Sequence, residues 1–156
     1  MAGKIILLVF FIIGCASASK TGNCVNGNCD NGRGTFVFSA GGPDIEYTGE
    51  WKHGMRQGRG VSRYANGDRY EGEWKNDMKD GQGDYSFSKG DKYQGQWKDG
   101  KRQGRGVYTW RSGDRFEGEW LNDEKHGEGA LYSSEGTLLK KGIWNNDRYI
   151  GGKQIK

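Results

Sequence analysis

The sequence predicts an all-β fold, an elongated single-layer antiparallel sheet of β-hairpin repeats with a 23-residue period. The first observation behind this is a recurrence. Tyr47-Thr48-Gly49-Glu50-Trp51 returns as Tyr70-Glu71-Gly72-Glu73-Trp74, Tyr93-Gln94-Gly95-Gln96-Trp97 and Phe116-Glu117-Gly118-Glu119-Trp120, each 23 residues on. The second halves keep step as Gly58-Arg59-Gly60, Gly81-Gln82-Gly83, Gly104-Arg105-Gly106 and Gly127-Glu128-Gly129, which is how a repeat architecture appears in a sequence. The second observation is composition. Of 156 residues, 29 are glycine, one is proline and only 33% are apolar. Beyond the first 18 residues, six Trp, eight Tyr and four Phe stand against 12 Leu, Ile and Val. That ratio is wrong for the aliphatic core of a doubly wound α/β enzyme, and glycine without a three-residue period excludes collagen. The aromatic content separates the chain from disordered sequence. The third observation is turn chemistry. The pairs His53-Gly54, Asn76-Asp77, Asp99-Gly100, Asn122-Asp123 and Asn146-Asp147 fall between the two halves of successive copies and suit the positive-φ positions of a type I′ hairpin.

Residues 1–14 read as an export signal: Lys4 precedes the unbroken apolar run Ile5 to Ile13, which is too short to span a bilayer. Two processing sites compete. Ile12-Ile13-Gly14-Cys15 resembles the lipobox of bacterial lipoproteins and would make Cys15 an acylated N-terminus, whereas Ala16-Ser17-Ala18 suits ordinary signal peptidase cleavage after Ala18. The first outcome anchors the chain in the cell envelope by lipid; the second gives a secreted product. Residues 15–22 form a linker. Residues 23–46 form an N-terminal half repeat closed by a disulfide, since Cys24 and Cys29 are left in an oxidising compartment. Asn26-Gly27 lies at the centre of that stretch and predicts a two-residue hairpin in which Cys24 faces Cys29.

Residues 47–138 hold the four full repeats. Period-2 alternation puts Tyr47, Gly49 and Trp51 on one strand face, as it does Tyr70, Gly72 and Trp74, Tyr93, Gly95 and Trp97, and Phe116, Gly118 and Trp120. Residues such as Glu71, Glu73 and Lys75 point the other way. Counting back from strict two-residue turns, Gly72 faces Gly81, Gly95 faces Gly104, Gly118 faces Gly127 and Tyr70 faces Gly83, so that a ring lies over bare glycine. The same count sets Arg56, Lys79, Arg102 and Lys125 beside Trp51, Trp74, Trp97 and Trp120, with each cation over that indole. Further turns at Asn66-Gly67, Lys89-Gly90, Ser112-Gly113 and Glu135-Gly136 lead into the next copy. Residues 139–156 form a truncated copy around Gly142-Ile143-Trp144, displaced by one residue, with Gly142 facing Gly151.

The pattern Y-x-G-x-W-x-x-G/D-x-x-x-G-x-G, followed by a later glycine, resembles the MORN repeat family over residues 47–151 and more weakly over 20–46. The resemblance implies contacts with a protein partner or with membrane phospholipid, without choosing between them.

The residues support no catalytic reading. Glu71/Glu73 and Glu117/Glu119 share strand faces, but the third copy carries Gln94 and Gln96 at those positions, so acid–base chemistry does not repeat with the scaffold. Glu50, Glu73 and Glu119 lack enforced ligand geometry for a metal. His53 and His126 flank turns in different repeats. The Gly-x-Gly triplets sit in strands, with no Gly-Lys-Ser/Thr and no following helix to cradle phosphate, and no cofactor is expected. Net charge is +4 with acids and bases interleaved, which argues against nucleic acid. Arg56, Lys79, Arg102 and Lys125 are the candidate ligand or anion contacts. The expected function is an exported scaffold for protein or envelope contacts; the alternative is a module that binds glycan or phospholipid through its aromatic and basic residues. Burial of the repeated rings discriminates between them.

Overall fold

A computed structural model describes residues 20–152; the export signal, the Cys15 lipidation site and the cleavage site after Ala18 lie outside the described residues. Twelve strands form one antiparallel sheet in chain order: β1 (Gly22–Gly27), β2 (Gly32–Phe38), β3 (Asp44–Lys52), β4 (Met55–Tyr64), β5 (Arg69–Lys75), β6 (Met78–Ser86), β7 (Lys92–Lys98), β8 (Lys101–Thr109), β9 (Arg115–Leu121), β10 (Glu124–Tyr132), β11 (Leu138–Asn145) and β12 (Arg148–Gly151). Each repeat is one hairpin. Its first strand carries the aromatic–glycine–tryptophan triplet and its second the paired glycines.

The first turn of every repeat takes the conformation its residues favour. Asn76 and Asp77 sit at φ 49° and 68°, Asn122 and Asp123 at 51° and 73°, as a type I′ turn requires. Lys75 and Met78 close one such turn, with Trp74 opposite Lys79. The linking loops hold three residues. Tyr64 N–H donates to Asp68 O at 3.0 Å and Gly67 N–H to Tyr64 O at 2.9 Å, the hydrogen-bond pattern of a type I turn ending in a left-handed residue.

The register departs from the strict count by two residues. Gly72 pairs with Gly83, Gly95 with Gly106, and Gly118 with Gly129, not with Gly81, Gly104 and Gly127; Tyr70 accordingly pairs with Tyr85. The cause is a bulge just beyond the turn. Between Trp74 and Gly72 the partner strand advances from Lys79 to Gly83, and Gly81 within that stretch takes φ +104°, open to glycine at no steric cost. The first glycine of each Gly-x-Gly therefore makes the bulge and the second lies under the ring. At the C-terminal edge, Gly151 pairs with Ile143 and not with Gly142, because another bulge separates Ile143 from Trp144.

The N-terminal hairpin also differs. β1 continues through Asn26-Gly27 after a bulge between Cys24 and Asn26, and Gly27 pairs with Gly34. The chain reverses at Asn28, whose Oδ1 accepts the N–H groups of Asp30 and Asn31 at 3.0 and 2.9 Å. An Asx turn thus outcompetes Asn-Gly. Cys24 and Cys29 are disulfide-bonded with Cα atoms 5.9 Å apart, and the bridge spans this bend, with Cys24 opposite Phe36.

The core lies on one face of the sheet. Tyr47, Tyr70, Tyr93 and Phe116 are 0% exposed, and Trp51, Trp74, Trp97, Trp120 and Trp144 are 3–6% exposed. A single layer buries these rings because they pack on one another, on the glycines beneath them and under flanking Tyr64, Tyr85, Phe87, Tyr108 and Trp110. Asp77 N–H donates to Arg56 O, and its counterparts Gly100, Asp123 and Asp147 donate to Lys79, Arg102 and Lys125 at 2.9–3.1 Å. Every turn is thereby docked on the hairpin before it.

Candidate functional site

The repeated triplets build a ladder that runs the length of the inner face. Each core ring stands edge-on to the indole of its own repeat and to the next: Tyr70 meets Trp74 at 5.1 Å and Trp97 at 5.4 Å between centroids, both T-shaped. Tyr47, Tyr93 and Phe116 do the same with their own and following indoles. Such contacts add about 0.5–1.5 kcal/mol each beyond burial. The polar ends are used internally. Tyr70 Oη donates to Glu73 O at 3.0 Å, and the indole N–H of Trp97 donates to Gly83 O at 3.1 Å. Burial raises the Tyr70 and Tyr93 hydroxyls well above their ordinary range. The rings of Tyr47, Tyr70 and Tyr93 cover Gly60, Gly83 and Gly106, as Phe116 covers Gly129.

The four candidate cations are register partners of the expected indoles, Arg56 opposite Trp51, Lys79 opposite Trp74, Arg102 opposite Trp97 and Lys125 opposite Trp120. They do not stack there. Arg56 lies over Trp74 at 4.1 Å, Lys79 over Trp97 at 4.2 Å, Arg102 over Trp120 at 4.4 Å and Lys125 over Trp144 at 5.4 Å. The reach is forward by one repeat because the docked hairpin ends bring the next indole beneath the cation. Asp30 occupies the corresponding main-chain position in the half repeat, accepting from Gly54 N–H at 3.0 Å. Lys20 supplies the missing charge, its Nζ 4.9 Å from the Trp51 ring and 2.7 Å from both Gly54 O and Asp77 Oδ1. At the other end Tyr149 stands in the cation position opposite Trp144, 5.3 Å from it.

The acids have structural work. Glu50 Oε1 accepts from Arg59 N–H at 3.2 Å, Glu73 Oε1 from Gln82 N–H at 3.4 Å and Gln96 Oε1 from Arg105 N–H at 2.8 Å. Each side chain caps the bulge opposite it, a task a neutral amide oxygen performs as well as a carboxylate. Glu73→Gln is therefore expected to change stability by less than about 0.5 kcal/mol, and Glu73→Ala to cost about 1 kcal/mol, read from urea unfolding midpoints. A large loss in Glu73→Gln would show that the charge itself matters.

A second set of acids recurs at Asp68, Asp91 and Asp114, residues the sequence reading passed over although they follow the repeat glycine at period 23. Asp68 accepts from Tyr85 Oη at 2.7 Å and Ser88 N–H at 2.8 Å, and Asp91 accepts from Tyr108 Oη at 2.6 Å and Arg111 N–H at 2.8 Å. Burial pushes the Asp68 carboxyl up, but the Ser88, Tyr85 and Asn66 donors outweigh it and hold the group below its ordinary value.

The outer face mixes charged and polar side chains with exposed Val37, Met78, Leu121 and Ile143. His53 is exposed, whereas His126 is half-buried with Nδ1 lacking a hydrogen-bond partner. Among the described residues, no group of three His, Cys, Asp or Glu side chains is placed to hold a metal ion. A groove of about 880 Å³ crosses β8 to β11 on this face. Val107, Ala130 and Ile143 supply its apolar surface, and Arg105, Glu117, Glu119, Glu128 and Lys141 bring both signs of charge to it.

The family model described as MORN repeat matches residues 47–69, 70–92, 93–115 and 116–138, more than half of the chain. A comparison with curated proteins finds no match.

Proposed function

The chain belongs to the MORN repeat family, modules of protein and membrane interaction, and from that premise we propose that it is an exported, lipid-anchored scaffold without catalytic activity. The observation that carries this reading is the burial of the nine core rings at 0–6% exposure, with the tyrosine hydroxyls and indole N–H groups bonded inside the sheet. Rings so occupied hold the repeats together. What is offered outward is a face of mixed charged and apolar residues with its groove, suited to a protein surface. A glycan reader would need one ring per repeat open along a channel.

Export and anchoring rest on the sequence. Ile12-Ile13-Gly14-Cys15 ends the apolar run Ile5 to Ile13, and acyl chains on Cys15 would contribute ~0.8 kcal/mol per buried methylene. Lys20, docked against Gly54 and Asp77, follows Cys15 by five residues, a reach of roughly 18 Å at full extension. Such an anchor would hold the first repeat close to the membrane. The test is the native chain beside Cys15→Ala, expressed with the leader intact. The native protein should sediment with membranes and show the mass of an acylated chain beginning at Cys15, and Cys15→Ala should leave the membrane fraction. An unacylated mature chain beginning at Ser19 would overturn the anchor.

A further inference from the structure

The repeats can be read against one another, and one of them lacks a group the others have. In three of the four full repeats, the ladder cation shares a carboxylate with its own main chain. Asp77 Oδ1 accepts from Arg56 N–H at 2.9 Å and from Arg56 Nε at 3.2 Å. Asp123 Oδ1 accepts from Arg102 N–H at 3.0 Å and Nε at 3.1 Å, and Asp147 Oδ1 from Lys125 N–H at 3.1 Å with Nζ 3.2 Å away. The carboxylate belongs in each case to the second residue of the next turn. For Lys79 that residue is Gly100. The turn is docked like the others, Gly100 N–H donating to Lys79 O at 2.9 Å, but the acid is absent. A Cβ built on Gly100 would meet nothing within 4 Å, so no atom takes up the position from which the acid side chain starts in the other repeats. Among the described residues Lys79 forms no salt bridge.

We propose that the notch between Lys79 and Gly100 is a carboxylate-binding site, in which a ligand oxygen takes the place that Asp77, Asp123 and Asp147 fill in the neighbouring repeats. The oxygen would accept from Lys79 N–H and Lys79 Nζ together, the same two-donor geometry the chain already builds three times. Lys79 Nζ is held in place over Trp97 at 4.2 Å and Tyr85 at 4.6 Å, so the site is preorganised. Its charge is poorly compensated: burial lowers the Lys79 ammonium to about 8, and nearby Asp123 and Asp44 are opposed by Arg102 and Arg56. A bound carboxylate restores the balance. The ligand is either a free small carboxylic acid or an Asp or Glu side chain on a partner protein. The site stands independently of export and anchoring.

The test uses ¹⁵N-labelled full chain, monitoring Lys79 N–H and Nζ by NMR during titration with sodium acetate, at ionic strength held constant with sodium chloride. A parallel titration uses the blocked peptide acetyl-Ala-Asp-Ala-amide. The expected result is a saturable shift at Lys79 with a rise of about one unit in the Lys79 pKa. Gly100→Asp fills the notch, and should raise that pKa without ligand and weaken binding at least tenfold. Aspartate is tolerated at this turn position, as φ values of 68°, 73° and 64° at Asp77, Asp123 and Asp147 show. Saturation by acetate identifies a free acid as a sufficient ligand, and saturation by the peptide alone identifies a partner-borne one. No saturable response to either ligand, or an equal response in Gly100→Asp, overturns the proposal.

Discussion

Gly72→Ala is expected to destabilise the protein by about 3 kcal/mol or more, a large effect for one methyl group. Gly72 lies on the inner face directly opposite Gly83. A Cβ there would sit 2.5 Å from Gly83 Cα and 2.6 Å from both Gln82 O and Tyr70 Oη. Two of these are main-chain atoms, fixed by the ladder to β5 on one side and β7 on the other. They cannot move aside as a side-chain tip would. Relief would require either parting β5 from β6 or lifting Tyr70 from the glycines, which exposes a ring that is now fully buried. Gly42→Ala is the matched control: a Cβ there meets nothing within 4 Å, and the loss of unfolded-state entropy should leave stability unchanged or slightly raised. Urea unfolding midpoints of the two variants decide the matter. A Gly72→Ala midpoint equal to that of Gly42→Ala would mean that the glycine pairs are not the ring-bearing surface.

Trp97→Ala should cost about 3–5 kcal/mol and should also change the form of the transition. Trp97 makes the T-shaped contacts to Tyr70 and Tyr93, carries Lys79 on its face and bonds Gly83 O. Those groups lie in two successive repeats, so the indole is a coupling element as well as core. Removing it from the middle of a stack held by nearest-neighbour contacts uncouples the two ends. Unfolding followed by circular dichroism and by tryptophan fluorescence should then no longer coincide. Trp97→Phe keeps a ring but not the N–H, and should lose only about 1–2 kcal/mol while remaining cooperative. Trp144→Ala, beside the last hairpin, should cost less because only that hairpin would fray. Coincident transitions in Trp97→Ala would refute the coupling role.

The contrast between these residues explains which parts of the fold were legible in the sequence. Period, strand faces and type I′ turns follow from local chemistry, and Tyr70, Trp74 and Asn76-Asp77 each carry their own signal. The bulge does not. Gly81 and Gly83 are the same letter two positions apart, yet one is needed for its left-handed backbone and the other for its missing Cβ. Counting from the turn cannot tell them apart. The cations show a second limit. Opposition across a hairpin is a property of register, but stacking over the next indole depends on how each turn docks on the hairpin before it, a contact between repeats that no single repeat specifies. Lys20 shows a third: it takes over a repeat position from the stretch read as a linker, because Asp30 has the main chain there and the wrong charge. The structural acids were half legible. Gln96 at a glutamate position already argued against acid–base chemistry, and only the geometry identified its task as capping the bulge.

The order of the strands in the sheet has a mechanical consequence. Because β1 to β12 lie side by side in the order in which they are strung, tension between the two termini does not shear long rows of hydrogen bonds at once. It opens them one pair at a time from an edge, like a zip. Each 23-residue repeat so released would extend to about 75 Å at ~3.3 Å per residue, where its two strands span roughly 10 Å of the folded sheet. The turns docked on preceding hairpins act as detents between steps. A molecule of this kind fixed at one end and loaded at the other would yield in equal increments and re-form from whatever repeats remained folded, behaving as an extensible tether.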